Sequence, residues 1–128
     1  MKLRTLDYFI IVLTLATAVL HFAAAFDPIL FKLPSERPDI TFTLNGLGYL
    51  GLLGAFYLPS SFFQQRHKSV WQVLFGYIIL TIVAWLVIWV GMNVIAHGVP
   101  FFGHDSVYGV PAKIIELVLL YLLGQEKP

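Results

Sequence analysis

The chain has 128 residues, enough for a single domain, and its net charge of +1 gives no reason to expect a nucleic acid or an acidic partner. Hydrophobic residues make up 59% of the chain and charged residues only 12%, whereas soluble domains carry about a quarter charged residues. The composition therefore selects the membrane class. Because the chain contains no cysteine, disulfides, thiolate catalysis and cysteine-ligated metal centres are excluded.

Four apolar segments predict membrane-spanning helices. They cover residues 8–26, 41–58, 70–97 and 106–123. Each approaches or exceeds the roughly 20 residues that a helix needs to cross about 30 Å of hydrocarbon, and long continuous apolar runs of this kind are helical. We therefore expect an all-α membrane protein with a single four-span domain over residues 1–128, folded as an antiparallel four-helix transmembrane bundle.

The first segment also has some features of a cleaved signal peptide. Lys2 and Arg4 make a basic start, and alanines at positions 23–25 resemble a cleavage site. The apolar run is long for a signal peptide, however, and His21 interrupts it near its end. We therefore expect the segment to be retained as a span.

Basic residues predict the orientation of the chain. With the N-terminus in the cytoplasm, five basic residues lie inside and two outside, which is the bias that inner-membrane proteins show. The inner set is Lys2, Arg4, Arg66, Lys68 and Lys127, and the outer set is Lys32 and Arg37. We expect a multi-pass protein of the inner (plasma) membrane with both termini cytoplasmic.

The second segment contains the letters GLGYLG at residues 46–51, which match the glycine pattern of dinucleotide-binding proteins. That pattern works only between a strand and a helix of a βαβ unit, so we reject it inside an apolar span. We expect instead that Gly48, Gly51 and Ala55 form a face that lets another helix approach closely. The first segment has a comparable face of small and polar residues, namely Thr14, Thr17, Ala18 and His21. We expect the two faces to meet.

The fourth segment carries two opposite charges, Lys113 and Glu116, one helical turn apart. A charge at membrane depth costs several kcal/mol and is normally kept only where it is paired or used. Lys113 can extend towards the interface along its aliphatic stem, but Glu116 is shorter and deeper. We expect Glu116 to face the interior and to contact Lys113 or His21. We place the start of this helix near residue 105 or 106, with a bend at Pro111.

Further polar residues fall in the same outer half of the predicted bundle. The predicted polar pocket consists of His21, Asn45, Asn93, His97, Lys113 and Glu116. Hydrogen bonding between packed helices is one account of these residues. A pocket for a small ligand is the other, because ionisable residues inside a membrane are functional candidates. No catalytic combination of residues is evident, which favours a protein that is not an enzyme.

Two histidines on different segments, His21 and His97, raise the alternative of a b-type haem. A single membrane histidine more often hydrogen-bonds a neighbour, so the sequence requires no cofactor and predicts no other metal site. A haem- or quinone-binding redox protein and a small transporter or channel stay open as alternatives. A channel would need an oligomer, since four short helices leave little room for a pore of their own.

Several short motifs together support a family resemblance. They are V-L-H at 19–21, N-G-L-G-Y-L-G at 45–51 and K-x-x-E at 113–116, with a basic loop and a tryptophan-bearing third segment between them. In this order of features the chain resembles small uncharacterised four-helix integral membrane proteins of prokaryotes, and it is distantly similar to DoxX-like proteins. The resemblance implies a compact bundle in a prokaryotic inner membrane and no particular reaction.

The leading functional expectation follows from these observations. It is an integral membrane protein with a polar pocket in the outer-leaflet half, which binds a small ligand or serves as an accessory subunit. The expected partners are the lipid bilayer and either further copies of the chain or a larger membrane complex.

Overall fold

The computed structural model of the chain describes residues 2–30 and 33–128, and Lys32, which enters the predicted orientation, lies outside that part. The described residues form helices and connecting segments, with no strand among them. The α-helices are α1 (Thr5–Phe26), α2 (Ile40–Tyr57), the single turn α3 (Ser61–Gln64), α4 (His67–Trp85) and α5 (Gly109–Gln125). The all-helical class is as predicted.

The helix that begins with α4 continues beyond Trp85. Residues Leu86–Ile95 follow without a break as a π-helix, in which backbone hydrogen bonds reach five residues back instead of four. The combined helix His67–Ile95 has 29 residues and is the most apolar of the long helices. π-Helical stretches usually last a single turn, so this run of 10 residues is unusually long.

The start of α5 differs from the prediction. The helix begins at Gly109, and His104–Ser106 forms a separate 3₁₀ turn before it. Pro111 is the third residue of α5 and lies in its first turn, where backbone N–H groups have no partner within the helix. A proline is tolerated there without distortion. The predicted bend at Pro111, and the start near residue 105 or 106, are therefore wrong.

The other helices agree with the predicted segments within three residues at each end. Because α1 starts at Thr5 rather than residue 8, Asp7 lies in its first turn and accepts a hydrogen bond from the backbone N–H of Arg4 at 2.8 Å. At the start of α2, Asp39 Oδ1 accepts from the backbone N–H of Phe42 at 2.9 Å, as a helix cap.

Each of the four long helices packs against two others. α1 contacts α2 and α5, and α4 contacts the same two helices from the opposite side. Apolar residues from all four helices form the core, namely Ile10, Ala18, Tyr49, Phe56, Trp71, Leu74, Ile78, Leu119 and Leu123. At one end of this core the indole Nε1 of Trp71 donates to the backbone oxygen of Leu123 at 2.9 Å, which ties α4 to α5.

The glycines of α2 make close approaches on two sides. A Cβ at Gly46 would lie 2.9 Å from Phe22 Cζ on α1, and a Cβ at Gly48 would lie 2.8 Å from Tyr77 Cζ on α4. At Gly51 nothing lies within 4 Å. Gly48 therefore makes the predicted close helix contact, but with α4 instead of the expected face of α1, and the predicted contact of Gly51 is wrong. α2 has neighbours on two sides, so Gly46 and Gly48 serve different faces, and Gly51 is exposed.

Much of the outer surface is apolar. Among the described residues, three helices are long and apolar enough to cross a membrane: Thr5–Phe26, Ile40–Tyr57 and His67–Ile95. In the most apolar part of the third, only 11% of residues are buried, against 39% in the first. Soluble proteins rarely expose large contiguous apolar patches, so these surfaces indicate a membrane protein.

Candidate functional site

A buried group of polar side chains lies between the four long helices, with Glu116 at its centre. We call it the Glu116 cluster; its members are Thr17, His21, Tyr49, Thr81, Lys113 and Glu116. Glu116 is 0% exposed. Lys113 Nζ donates to Glu116 Oε2 at 2.7 Å, so the predicted contact between these two residues is present.

The second carboxylate oxygen connects α5 to its neighbours. The hydroxyl of Tyr49 on α2 donates to Glu116 Oε1 at 2.8 Å, and the hydroxyl of Thr17 on α1 lies 3.4 Å from the same oxygen. A buried ion pair is tolerated only when its remaining hydrogen-bonding positions are also filled. Here the opposite charge comes from the same helix, and neutral hydroxyls on other helices fill the remaining positions.

The hydroxyls of the Glu116 cluster do not carry enough protons for all of their contacts. Tyr49 Oη lies 2.8 Å from Glu116 Oε1 and 2.9 Å from Thr81 Oγ1, which in turn lies 2.8 Å from the backbone oxygen of Ile78. Three hydrogen bonds need three protons, whereas each hydroxyl supplies one. Either one contact lacks a proton or the Glu116 carboxyl supplies the third.

His21 presents a second position that lacks a proton. Its Nδ1 lies 2.7 Å from the backbone oxygen of Thr17, so Nδ1 must be the donor, because a carbonyl oxygen only accepts. The other ring nitrogen, Nε2, faces Glu116 Oε1 at 3.9 Å, beyond hydrogen-bond length. If His21 is neutral, Nε2 can only accept a hydrogen bond, and it faces Glu116 Oε1, which in an ionised carboxylate is also an acceptor. The gap therefore favours an added proton or a bridging donor.

Asn45 lies at the edge of the Glu116 cluster rather than within it. The hydroxyl of Tyr77 on α4 donates to the backbone oxygen of Asn45 at 2.9 Å and also lies next to the side-chain oxygen of that residue. The Tyr77 ring packs edge-on against Tyr49, with centroids 5.0 Å apart. Asn45 thus supports Tyr49 through a neighbouring ring.

Asn93 and His97 bond to their own helix. Asn93 Nδ2 donates to the backbone oxygen of Ile88 at 2.8 Å, and His97 Nδ1 donates to the backbone oxygen of Met92. None of the contacts described for these two residues reaches Glu116. Since His97 is exposed whereas His21 is buried and faces Glu116, nothing in their geometry favours a shared haem.

Comparison with protein-family models identifies the family of the chain. A model described as a family of unknown function (DUF7475) matches residues 2–123. The chain belongs to this family. The DUF7475 match contains every residue of the Glu116 cluster, and the curated proteins and solved structures that were compared gave no match. The similarity to DoxX-like proteins stays a prediction.

This DUF7475 chain has a second polar group, at the end where α1 begins and α2 and α5 end. We call it the terminal cluster: Arg4, Asp7, Tyr57 and Glu126. Arg4 bonds Asp7 Oδ2 through Nε at 3.3 Å and Glu126 Oε2 through Nη2, and Tyr57 donates to Asp7 Oδ1 at 3.2 Å. The hydrogen bond to Glu126, followed by that to Asp7, raises the pKa of Arg4.

A third polar group joins the opposite ends of α1 and α5. Asp27, which follows α1, accepts from the hydroxyl of Tyr108 at 2.6 Å and from the backbone N–H of Ile29 at 2.7 Å. His104 Nε2 lies 3.0 Å from the same carboxylate. The Tyr108 hydrogen bond, with the backbone donors, lowers the pKa of Asp27 to about 2. Among the described residues, no group of three metal-ligating side chains occurs.

Several members of the Glu116 cluster were not predicted as site residues. The sequence patterns place Thr17 on a packing face and give no site role to Tyr49 or Thr81. One signal was available: Tyr49 lies deep in an apolar segment, away from the interfaces where tyrosines are usual, and a buried tyrosine hydroxyl needs a partner. No comparable signal in the sequence pairs Arg4 with Glu126, which is 122 residues away.

Proposed function

We propose that this DUF7475 chain is a four-span integral membrane protein of the inner (plasma) membrane, with both termini cytoplasmic, and that the Glu116 cluster binds a proton in the outer half of the bundle. The observation that carries the proposal is the fully buried Glu116 carboxylate, whose Oε1 faces Nε2 of His21 at 3.9 Å, the ring nitrogen that has no proton when His21 is neutral. The ligand of the predicted pocket is then a proton.

The four-span arrangement is supported by contacts at both ends of α5. At one end Arg4, just before α1, bonds Glu126, just after α5; at the other, Asp27 bonds Tyr108. α1 and α5 therefore share both ends, and a membrane crossed by α1 is crossed by α5. With 17 residues at about 1.5 Å each, α5 is roughly 25 Å long, at the lower limit for a span.

The depth of the Glu116 cluster follows from its position along the helices. Glu116 lies seven residues, or about 10 Å, after the start of α5, and His21 lies five residues, or about 8 Å, before the end of α1. With the N-terminus inside, as the basic residues favour, both belong to the outer half. A charge pair there is far from bulk water and retains its electrostatic strength.

Proton binding accounts for two features that packing alone leaves unexplained. The hydroxyl chain from Tyr49 to Ile78 has one contact more than it has protons, and His21 and Glu116 present two acceptors to each other. One proton on Glu116 or His21 relieves one of these mismatches directly. Because each group bonds its neighbours, the proton is held by the cluster rather than by one residue.

Infrared difference spectroscopy of the reconstituted protein tests this function. Raising the pH should remove a band that arises from the proton held by the Glu116 cluster. We expect Glu116→Gln to abolish that band and His21→Asn to alter it, while Glu126→Gln, outside the hydrocarbon core, leaves it in place. Identical difference spectra for the parent and Glu116→Gln would contradict proton binding at this site.

A specific observation also favours a role as an accessory subunit. The helix His67–Ile95 is the longest and most apolar span and leaves most of its surface exposed. Blue-native electrophoresis of gently solubilised membranes tests this candidate, which requires a discrete complex larger than the monomer in detergent.

A further inference from the structure

A cleft of about 260 Å³ opens beside the terminal cluster, and nothing in the proton-binding function uses it. Charged and polar side chains of both signs line it, among them Lys2, Arg4, Asp7, His67 and Glu126, together with the ring of Phe56. These residues surround the ends of α1, α2 and α5, and His67 begins α4. The cleft therefore lies where the helices leave the hydrocarbon core.

Glu126 brings an unsatisfied acceptor to this cleft. Its side chain is only 10% exposed, and Arg4 Nη2 bonds one carboxylate oxygen, Oε2. The other oxygen, Oε1, is buried and has no hydrogen-bond partner among the described residues. A buried charged oxygen without a donor is costly and is rare in folded proteins. The site therefore calls for a ligand with N–H donors, most favourably a cationic one.

The same cleft offers donors for an anion. The Arg4 side chain is 65% exposed although its guanidinium bonds two carboxylates, and Lys2 is exposed. Arginine and lysine are the residues that most often bind phosphate. A ligand that carries only a negative charge would leave Glu126 Oε1 unsatisfied, and a cation alone would leave the exposed Lys2 and Arg4 side chains without an anion. A zwitterion with a phosphate and a primary ammonium satisfies both sides.

We propose that this cleft binds the headgroup of an aminophospholipid, with the ammonium group donating to Glu126 Oε1 and the phosphate held by Lys2 and Arg4. The proposal rests on the membrane-spanning part of the proposed function, because the cleft must lie in the headgroup layer. Tyr8 and Phe9 in the first turns of α1 are 58% and 57% exposed, so this end of the helix also presents apolar surface to acyl chains. A quaternary ammonium headgroup has no N–H to donate, so it should be rejected.

Native mass spectrometry of the full chain in detergent tests this site. The probes are phosphatidylethanolamine and phosphatidylcholine with the same acyl chains. We expect the parent to retain phosphatidylethanolamine roughly tenfold better, as one charge-assisted hydrogen bond implies. Free phosphoethanolamine at the same concentration should not displace the lipid. Equal retention of both lipids would overturn the proposal. Displacement by free phosphoethanolamine would also overturn it, because the ligand of the cleft would then be a soluble zwitterion and not a lipid.

Variants localise the effect. Glu126→Gln should remove the preference for phosphatidylethanolamine, whereas Lys127→Gln, which changes a neighbouring charge outside the cleft, should keep it. Lys2→Gln should reduce the retention of both lipids to a similar degree, because both carry the phosphate that Lys2 is proposed to bind. Helix content by circular dichroism checks that each variant is folded. An unchanged preference in Glu126→Gln contradicts the assignment, and this outcome is independent of the infrared test on Glu116.

Discussion

The Glu116 cluster and the terminal cluster both link a carboxylate on or next to α5 to other helices, but they neutralise it differently. Glu116 is completely buried, and its counter-charge, Lys113, is three residues away on the same helix. Glu126 is paired instead with Arg4, 122 residues away, whose side chain is 65% exposed. In the core, a charge pair is local and hydroxyls make the links between helices. At the helix ends, the largely exposed Arg4 side chain pairs with a carboxylate that is distant along the chain.

This difference predicts unequal costs for the same substitution. Glu116→Ala leaves the Lys113 ammonium buried without its counter-charge, which should lower the free energy of unfolding by about 3–5 kcal/mol. Glu126→Ala should cost much less, because Arg4 keeps Asp7 and is solvated. Unfolding in detergent, followed by circular dichroism against increasing denaturant, measures both. Comparable losses for the two variants would show that the Glu116 pair is not desolvated.

The role of the charges can be separated from their stability by removing both. Lys113→Met together with Glu116→Leu should recover most of the stability lost in Glu116→Ala, as replacement of buried ion pairs by apolar residues often does. The protonation-dependent infrared band should nevertheless be absent from this double variant. If the double variant is less stable than Glu116→Ala, the hydroxyls of Thr17 and Tyr49 need the Glu116 carboxylate as their hydrogen-bond acceptor. Replacing the ion pair by apolar residues would then not restore stability.

Matched tyrosines sharpen the comparison of the two clusters. Tyr49→Phe removes the hydroxyl that joins Glu116 to Thr81 and should cost about 1–3 kcal/mol, the usual range for leaving a buried polar group unsatisfied. Tyr57→Phe removes a single 3.2 Å bond to Asp7, which keeps its bonds to Arg4. We expect the Tyr57 variant to melt close to the parent. A larger loss for Tyr57→Phe than for Tyr49→Phe would reverse the ranking of the clusters.

The glycines of α2 show how far the support of the Glu116 cluster extends. Gly48→Leu displaces Tyr77, which packs against Tyr49, and should cost about 1–3 kcal/mol as for other overpacked sites. Gly51→Leu meets open space, so it should cost nothing measurable. Both changes gain similar helix propensity, which makes the pair a matched control. Equal melting of the two variants would mean that Tyr77 moves aside freely.

The smallest expected effect concerns acid at the Asp27 end. The pKa of Asp27 is lowered from 3.8 to about 2 in the folded chain, so its contribution to stability is complete above 3.8 and is lost as pH falls towards 2. Tyr108→Phe removes the largest cause of that lowered pKa. In this variant the denaturation midpoint, measured at a series of pH values, should fall less between pH 3.8 and about 2 than it does in the parent. An unchanged acid limb would show that Asp27 keeps its low pKa through its backbone donors alone.

The features that the sequence predicted are those that depend on residues close together along the chain. The bounds of α1 and α2 follow from apolar runs, and the contact between Lys113 and Glu116 follows from helical spacing. The prediction for the start of α5 is wrong because the sequence around Pro111 is compatible both with a proline in the first turn of a helix and with a proline at a bend within one. The partners of Tyr49, the choice of Gly48 over Gly51, and the pairing of Arg4 with Glu126 depend on tertiary packing, which one sequence does not encode as a pattern.

The most direct test is whether α5 crosses the membrane and so carries Glu116 into it. The natural chain lacks cysteine, so single cysteines can be placed at Ser35, Gln65, Phe102 and Gln125 and labelled in intact cells with a maleimide that does not cross membranes. We expect labelling at positions 35 and 102 and protection at 65 and 125. Labelling at both 102 and 125, with 65 protected, would place both ends of α5 on one side and contradict the burial of Glu116 within the bilayer.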